Sequence, residues 1–238
     1  MDDTGHCPTL GVVSVTDSPV DPAPAHVKPR LRGWLHLWSF VAALAAGATL
    51  ISLAASMVSG EAAAACAVYS AAVLGLFGTS ALYHRRTWSS VRSRTVMKRL
   101  DHAMIFVFIA GTYTPFAVLA LPPTTGLVVL AVVWVGALGG VVLKVAKPHA
   151  PRWVGVPFYL ALGWVAVFVL PDLLERGGVA ALVLLLVGGA FYSLGAFCYA
   201  FRRPAGWPAT FGYHEFFHAA TVVAAICHHV AIWLVLYA

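Results

Sequence analysis

AAAACAVYSAAVLGLFGTSALYH (residues 62–84), RRTWSSVRSRTVMKR (85–99) and LDHAMIFVFIAGTYTPFAVLAL (100–121) are consecutive, and reading them together decides the fold. The first and third stretches are overwhelmingly apolar. A helix crosses a hydrocarbon layer about 30 Å thick in about 20 residues, and both stretches are that long. The middle stretch carries Arg85, Arg86, Arg92, Arg94, Lys98 and Arg99 and no acid. Two apolar spans joined by a short basic connection make a helical hairpin in a membrane, with the basic turn on the cytoplasmic side.

The same pattern extends outward in both directions. Apolar segments at about 36–58, 125–145, 153–171, 178–201 and 212–237 bring the number of spans to seven. The fifth is the shortest and holds Pro157, and Pro115 in the third predicts a kink after Thr114. Gly136 and Gly140 form a G-x-x-x-G in the fourth, and Gly188, Gly189 and Gly195 mark the sixth. Such small residues let helices approach closely in lipid. Fourteen of the fifteen Lys and Arg residues fall in the N-terminal flank and the second, fourth and sixth connections. Only Arg176 lies on the other side, beside Asp172 and Glu175. This asymmetry predicts an all-α bundle of seven transmembrane helices with the N-terminus cytoplasmic and the C-terminus outside. One helix more or fewer would scramble it.

Composition points the same way. Hydrophobic residues make up 61% of the chain and charged residues 10%, against about 25% charged in soluble domains. Mean hydropathy is +0.85. One membrane domain over residues 34–238 is expected. Residues 1–33, with Asp2, Asp3, Asp17 and Asp21 among several prolines, read as a disordered cytoplasmic tail. That tail lacks the apolar core of a cleavable signal peptide. A net charge of +6 would suggest nucleic acid as a partner of a soluble chain. Here the cations occupy gaps between spans, so topology accounts for them and no nucleic-acid partner is expected. Cys7, Cys66, Cys198 and Cys227 form no C-x-x-C, and no disulfide framework is implied.

An Asp, Lys or Arg at the centre of a span costs about 2.5–3.5 kcal/mol on insertion scales, so an ionisable group there needs a reason. The candidates are His84, Asp101, His102, His214, Glu215, His218, His228 and His229. The second span arrives at the cytoplasmic face with His84; the third and seventh leave it with Asp101, and with His214 and His218. Three distant segments thus deliver polar groups to one layer. His228 and His229 lie ten or more residues further on, about 15 Å away at 1.5 Å per residue, and belong to another. With His36 and His102 they read as packing residues.

His214 and His218 stand at i, i+4 on one helical face, as do Ser80 and His84. Two imidazoles one turn apart and a third from a facing helix can occupy three corners of a zinc tetrahedron. Asp101 would then hold a water at the fourth corner or orient a histidine. Alternatively, each histidine hydrogen-bonds between helices. His214-Glu215-Phe216-Phe217-His218 also matches H-E-x-x-H, in which a glutamate activates the water of a metalloprotease. No Asp-Gly on another span completes such a membrane protease.

Ser80-Ala-Leu-Tyr-His84, Leu100-Asp101-His102, Ala110-Gly-Thr-Tyr-Thr-Pro115 and Tyr213-His-Glu-Phe-Phe-His218 together resemble motifs of the bacterial hemolysin III proteins. Those are similar to the progestin and adiponectin receptor family and, more remotely, to the alkaline ceramidases. The resemblance runs from about residue 33 to the end. It implies a seven-helix bundle and a zinc ion held by His84, His214 and His218. Asp101 would lie beside a zinc-bound water, with Ser80 as the family serine; Glu215 fills a position that often differs in the receptor branch.

Three functions follow as expectations. The first is a zinc-dependent hydrolase of a lipid amide or ester, with Asp101 as general base or acid and Ser80 bonding the water or oxyanion. Zinc would lower the pKa of bound water toward about 7 for that chemistry. The second is a receptor or membrane-homeostasis protein in which zinc is structural. The third is a pore-forming haemolytic protein, though no span is amphipathic enough to line an aqueous channel.

Overall fold

A computed structural model of the protein describes residues 29–147, 151–204, 207 and 209–238, residue 152 by its backbone alone. The expected tail lies, up to residue 28, outside the described residues. Within them every regular element is helical, and the one β-type contact is an isolated bridge between Trp207 and Phe211. The helices are α1 (Trp34–Met57), α2 (Gly60–Arg85), α3 (Val91–Leu119), α4 (Pro123–Ala146), α5 (Arg152–Gly163), α6 (Leu170–Phe201) and α7 (Tyr213–Leu236). A 3₁₀ segment, Trp164–Val169, joins α5 to α6. Six helical stretches are long and apolar enough to cross a membrane: α1 to α4, α7 and the continuous Trp153–Phe201. The chain is a multi-pass integral membrane protein.

Local chemistry sets where the helices begin. Ser59 caps α2 by accepting the Ala62 N–H at 3.0 Å, and Pro123 opens α4 at a position where its missing N–H costs nothing. Ser90 precedes α3, which starts well before the apolar run at residue 100. Arg92, Arg94, Lys98 and Arg99 therefore ride on its first turns instead of lying in a loop. This follows from good helix formers in the basic connection and a capping serine ahead of them. Further along, α3 passes through Pro115 to Leu119. The Thr114 hydroxyl donates to the Ala110 carbonyl at 3.0 Å and accepts from Trp134 Nε1 at 3.3 Å.

The expected fifth span has a less regular backbone than its hydropathy suggests. It stays α-helical to Gly163 and then tightens to 3₁₀. The Tyr113 hydroxyl fixes this change by donating to the Gly163 carbonyl (2.6 Å) and accepting from the Ala166 N–H (2.7 Å). The α6 helix is broken at Gly178, whose φ of 76° and ψ of 170° are non-helical. On α4, Gly136 leaves room for Leu162, and the Lys144 amine lies against Gly155. Trp164 Nε1 donates to Ser193 Oγ at 3.0 Å, and Gly177 abuts Val235 near the end of α7. Residues 155–162 thus pack antiparallel to the second half of α4, from Lys144 back to Gly136.

Close approach accounts for the small residues. A Cβ on Gly140 would collide with the fully buried Phe106 ring, and one on Gly111 with Ala72. Cys66, Cys198 and Cys227 are free thiols.

Candidate metal centre

Polar side chains gather at the end of the bundle where α2 finishes and α3 and α7 begin. The last turns of α2 present Ser80 and His84 on one face. The first turns of α7 present His214 and His218 likewise, and α3 contributes Asp101. One ligand atom from each of His84, His214 and His218 lies within 4.8 Å of the others. His84 Nε2 and His214 Nε2 are 3.1 Å apart. Zn–N bonds of about 2.0–2.1 Å at tetrahedral angles place donor nitrogens about 3.3–3.4 Å apart. One pair already stands near that spacing, and the widest needs to close by at most about 1.4 Å from 4.8 Å. His84 and His218 are buried and His214 nearly so, an environment in which a second polar group must be satisfied or charge-balanced. This donor set can hold a metal ion.

The neighbours fix the ligands. Asp101 Oδ2 lies 3.8 Å from His84 Nε2 and 3.6 Å from His102 Nδ1, and the carboxylate accepts a hydrogen bond from Ser80. The His102 Nδ1–H donates to the Lys98 carbonyl at 2.7 Å, and its Nε2 meets the Tyr199 hydroxyl at 3.4 Å. His102 thus lies beside Asp101, with its ring held by Lys98 and Tyr199, and stays outside the triad. On the other side the His36 ring lies flat on His218, centroids 3.8 Å apart and planes 12° from parallel. Reading by sequence placed His36 among the packing residues. Its position at the start of the first span, on the same side as His84 and Asp101, is the signal that would have put it in this layer.

Glu215 does not face the triad. One position after His214, it points about 100° around the helix from it. It is buried, accepts the Gly212 N–H at 2.9 Å through Oε2 and pairs through Oε1 with Arg32 Nε. This arrangement caps α7 and ties it to the segment before α1. The H-E-x-x-H spelling is thus an accident of a capping glutamate. The same segment holds Gly33, whose φ of 82° places its Cα against the end of α2. His228 and His229 occupy a different layer. His228 Nε2 meets the Leu185 carbonyl at 3.2 Å, and His229 meets Tyr69 (3.4 Å) and Trp233 (3.0 Å).

Beside the triad opens a cavity of about 1270 Å³, above the usual range of about 300–1,000 Å³ for small-molecule pockets. Ser80, Asp101, His214 and His218 stand in its wall, Lys98, Arg99, Lys144 and Arg202 line its basic end, and most of the remainder is apolar or aromatic.

Comparison with known proteins agrees with this architecture. The family described as haemolysin-III related matches residues 25–229. The chain is 32% identical over 136 residues to the hemolysin-3 homolog of Bacillus subtilis (strain 168), covering 57% of this chain and 63% of that protein. It is 34% identical over 104 residues to hemolysin-3 of Bacillus cereus, 44% of this chain and 48% of that protein. The human monocyte to macrophage differentiation factor is 27% identical over 173 residues, 71% of this chain and 69% of that protein. The chain thus spans less than two thirds of the length of either Bacillus relative. With the match running from ahead of α1 almost to the end of α7, this protein belongs to the haemolysin-III-related family.

Proposed function

We propose that the protein is a zinc-dependent hydrolase of a lipid amide or ester bond. The observation that carries this reading is the clustering of three imidazoles, two of them (His214 and His218) in the wall of one large, mostly apolar cavity together with the Ser80–Asp101 pair. Three histidines leave a fourth tetrahedral position, as in catalytic zinc sites, whereas structural sites are closed by four protein ligands. When bound, zinc acidifies water and polarises a carbonyl.

The chain's own residues supply the remaining requirements. The cavity holds the acyl chain in apolar surroundings and excludes water from it. The Asp101 carboxylate takes a proton from the attacking water and returns it to the leaving nitrogen or oxygen as the carbon–heteroatom bond breaks. The Ser80 hydroxyl holds that carboxylate in place, and its lone pairs can meet the water. His36, stacked on His218, and His102, beside Asp101, keep the site in register. Water supplies the oxygen of the new acid, and nothing is oxidised or reduced.

The same reading places the chain in a plasma membrane with seven crossings, the N-terminus inside and the C-terminus outside. The antiparallel packing of residues 155–162 on α4, the Trp164–Ser193 bond and the break at Gly178 between them support the count. Fourteen cations at one side support the orientation. Reporter fusions after residues 88, 121, 148, 177 and 204 test it: activity should alternate from site to site, and two successive fusions on one side would reject seven spans.

Hydrolysis is tested by incubating purified, zinc-loaded protein with N-acyl and O-acyl lipids and measuring released fatty acid. Turnover should disappear in Asp101→Asn and on chelation. Release that persists in both would reject the mechanism. A structural role for the ion is the rival reading, motivated by ligands that pin α2 to α7; chelation would then destabilise the bundle without any turnover ever being seen.

A further inference from the structure

The basic end of the cavity carries a charge that no carboxylate among the described residues pairs with. Lys98 and Arg99 lie on the first turns of α3, Lys144 on the last turn of α4 and Arg202 just beyond α6, and all four line the cavity. No ion pair within 4 Å joins any of them to a carboxylate among the described residues. Among the described residues the carboxylates at this end of the bundle have other neighbours: Glu215 pairs with Arg32, and Asp101 lies by Ser80, His84 and His102. Two of the four are not simply waving in solvent. Arg99 has its Nε buried without a partner, and the partly buried Lys144 amine rests where only a glycine, Gly155, leaves space. Desolvated cations of this kind need an anion.

Arg99 and Lys98 precede Asp101 by two and three residues, about 3 and 4.5 Å along the helix axis. Around the helix Lys98 is about 60° from Asp101 and Arg99 about 160°, and all three line the same cavity. The apolar remainder of the cavity accommodates an alkyl chain. We infer that the substrate of this site is a single-chain acyl amide or ester whose leaving half carries a carboxylate or phosphate, bound by Arg99 and Lys144. The inference rests on the hydrolase reading for the fate of that bond, but not for the recognition of its head group. The reaction remains simple hydrolysis: water oxygen bonds to the acyl carbon, the bond to the leaving heteroatom breaks, and that atom takes the proton.

The test uses full-length, zinc-loaded protein in a neutral detergent, so that no anionic bilayer lipid contributes. N-palmitoylglycine and N-palmitoylethanolamine share one acyl chain and one amide and differ in the carboxylate. Displacement of a fluorescent fatty acyl probe measures binding, and released palmitate measures hydrolysis. The glycine conjugate should bind at least about tenfold more tightly, a difference of about 1.4 kcal/mol. That preference should collapse in Lys144→Gln and Arg99→Gln, with zinc content reporting that each variant is folded. It should survive in Lys147→Gln, an exposed cation that does not line the cavity. Equal binding of the two lipids, or a preference untouched by both cavity variants, overturns the inference. Preferential binding without palmitate release leaves the head-group assignment standing and removes the hydrolase. Release without preference does the reverse.

Discussion

Replacing Gly33 by alanine should damage the metal centre from a residue that carries no donor atom. Gly33 precedes α1 with φ at 82°, and a Cβ there would stand 2.8 Å from His84 Cβ and 3.2 Å from Arg85 Cγ. The left-handed backbone alone costs a non-glycine residue about 1–2 kcal/mol. Carbon atoms pack at about 3.5–4.0 Å, so relief of the 2.8 Å contact requires His84 to retreat by about 0.7 Å or more. Overpacking of this kind typically costs about 1–3 kcal/mol. His84 has little freedom to retreat, because its Nε2 is 3.1 Å from that of His214. If about 1.4 kcal/mol of this strain falls on the metal-bound geometry, zinc affinity drops about tenfold. Competitive titration of purified protein against a chromophoric zinc chelator measures that drop. Gly60→Ala, where a Cβ meets nothing within 4 Å, serves as control and should stay within about twofold of wild type. A folded Gly33→Ala protein that binds zinc like the control would refute the reasoning.

Other substitutions separate ligands from neighbours. Glu215→Ala removes the partner of a partly buried Arg32 and should cost about 3 kcal/mol of stability, seen as a lower thermal midpoint, while zinc stoichiometry in the folded fraction persists; loss of zinc without loss of stability would return Glu215 to the site. His36→Ala removes the ring stacked on His218 and should weaken zinc binding by about tenfold or more, the range for groups that orient a metal ligand, and His36→Phe should restore most of it. Chelation of the wild type should lower its thermal midpoint, since a ligand at about 1,000 times its Kd contributes about 4 kcal/mol. His229→Phe should leave zinc content unchanged, because His229 binds Tyr69 and Trp233 in another layer.

Much of the site was legible because membrane depth is a sequence property. The basic connections fix which span ends share a face, and His84, Asp101, His214 and His218 all fall at ends of that kind. The i, i+4 spacing then places ligand pairs on common helical faces. The less legible features depend on tertiary contacts. The early start of α3 was hidden by its basic residues, which hydropathy reads as loop but helix propensity tolerates. The 3₁₀ segment after Gly163 is held by the hydroxyl of Tyr113 fifty residues away, and no local pattern announces it. Glu215 looked catalytic by spelling, and only the Gly212 N–H and Arg32 beside it give its role. His36 is a lone histidine with no ligand spacing, and only its depth in the first span links it to the others.

The central claim is that His84, His214 and His218 together hold one divalent ion. Elemental analysis of protein purified without chelators, wild type beside His214→Ala, tests it most directly. Zinc at about one ion per wild-type chain, with most of it lost from a variant that still folds, is the expected result. Wild-type protein without stoichiometric metal, or a variant that retains it in full, would contradict the account.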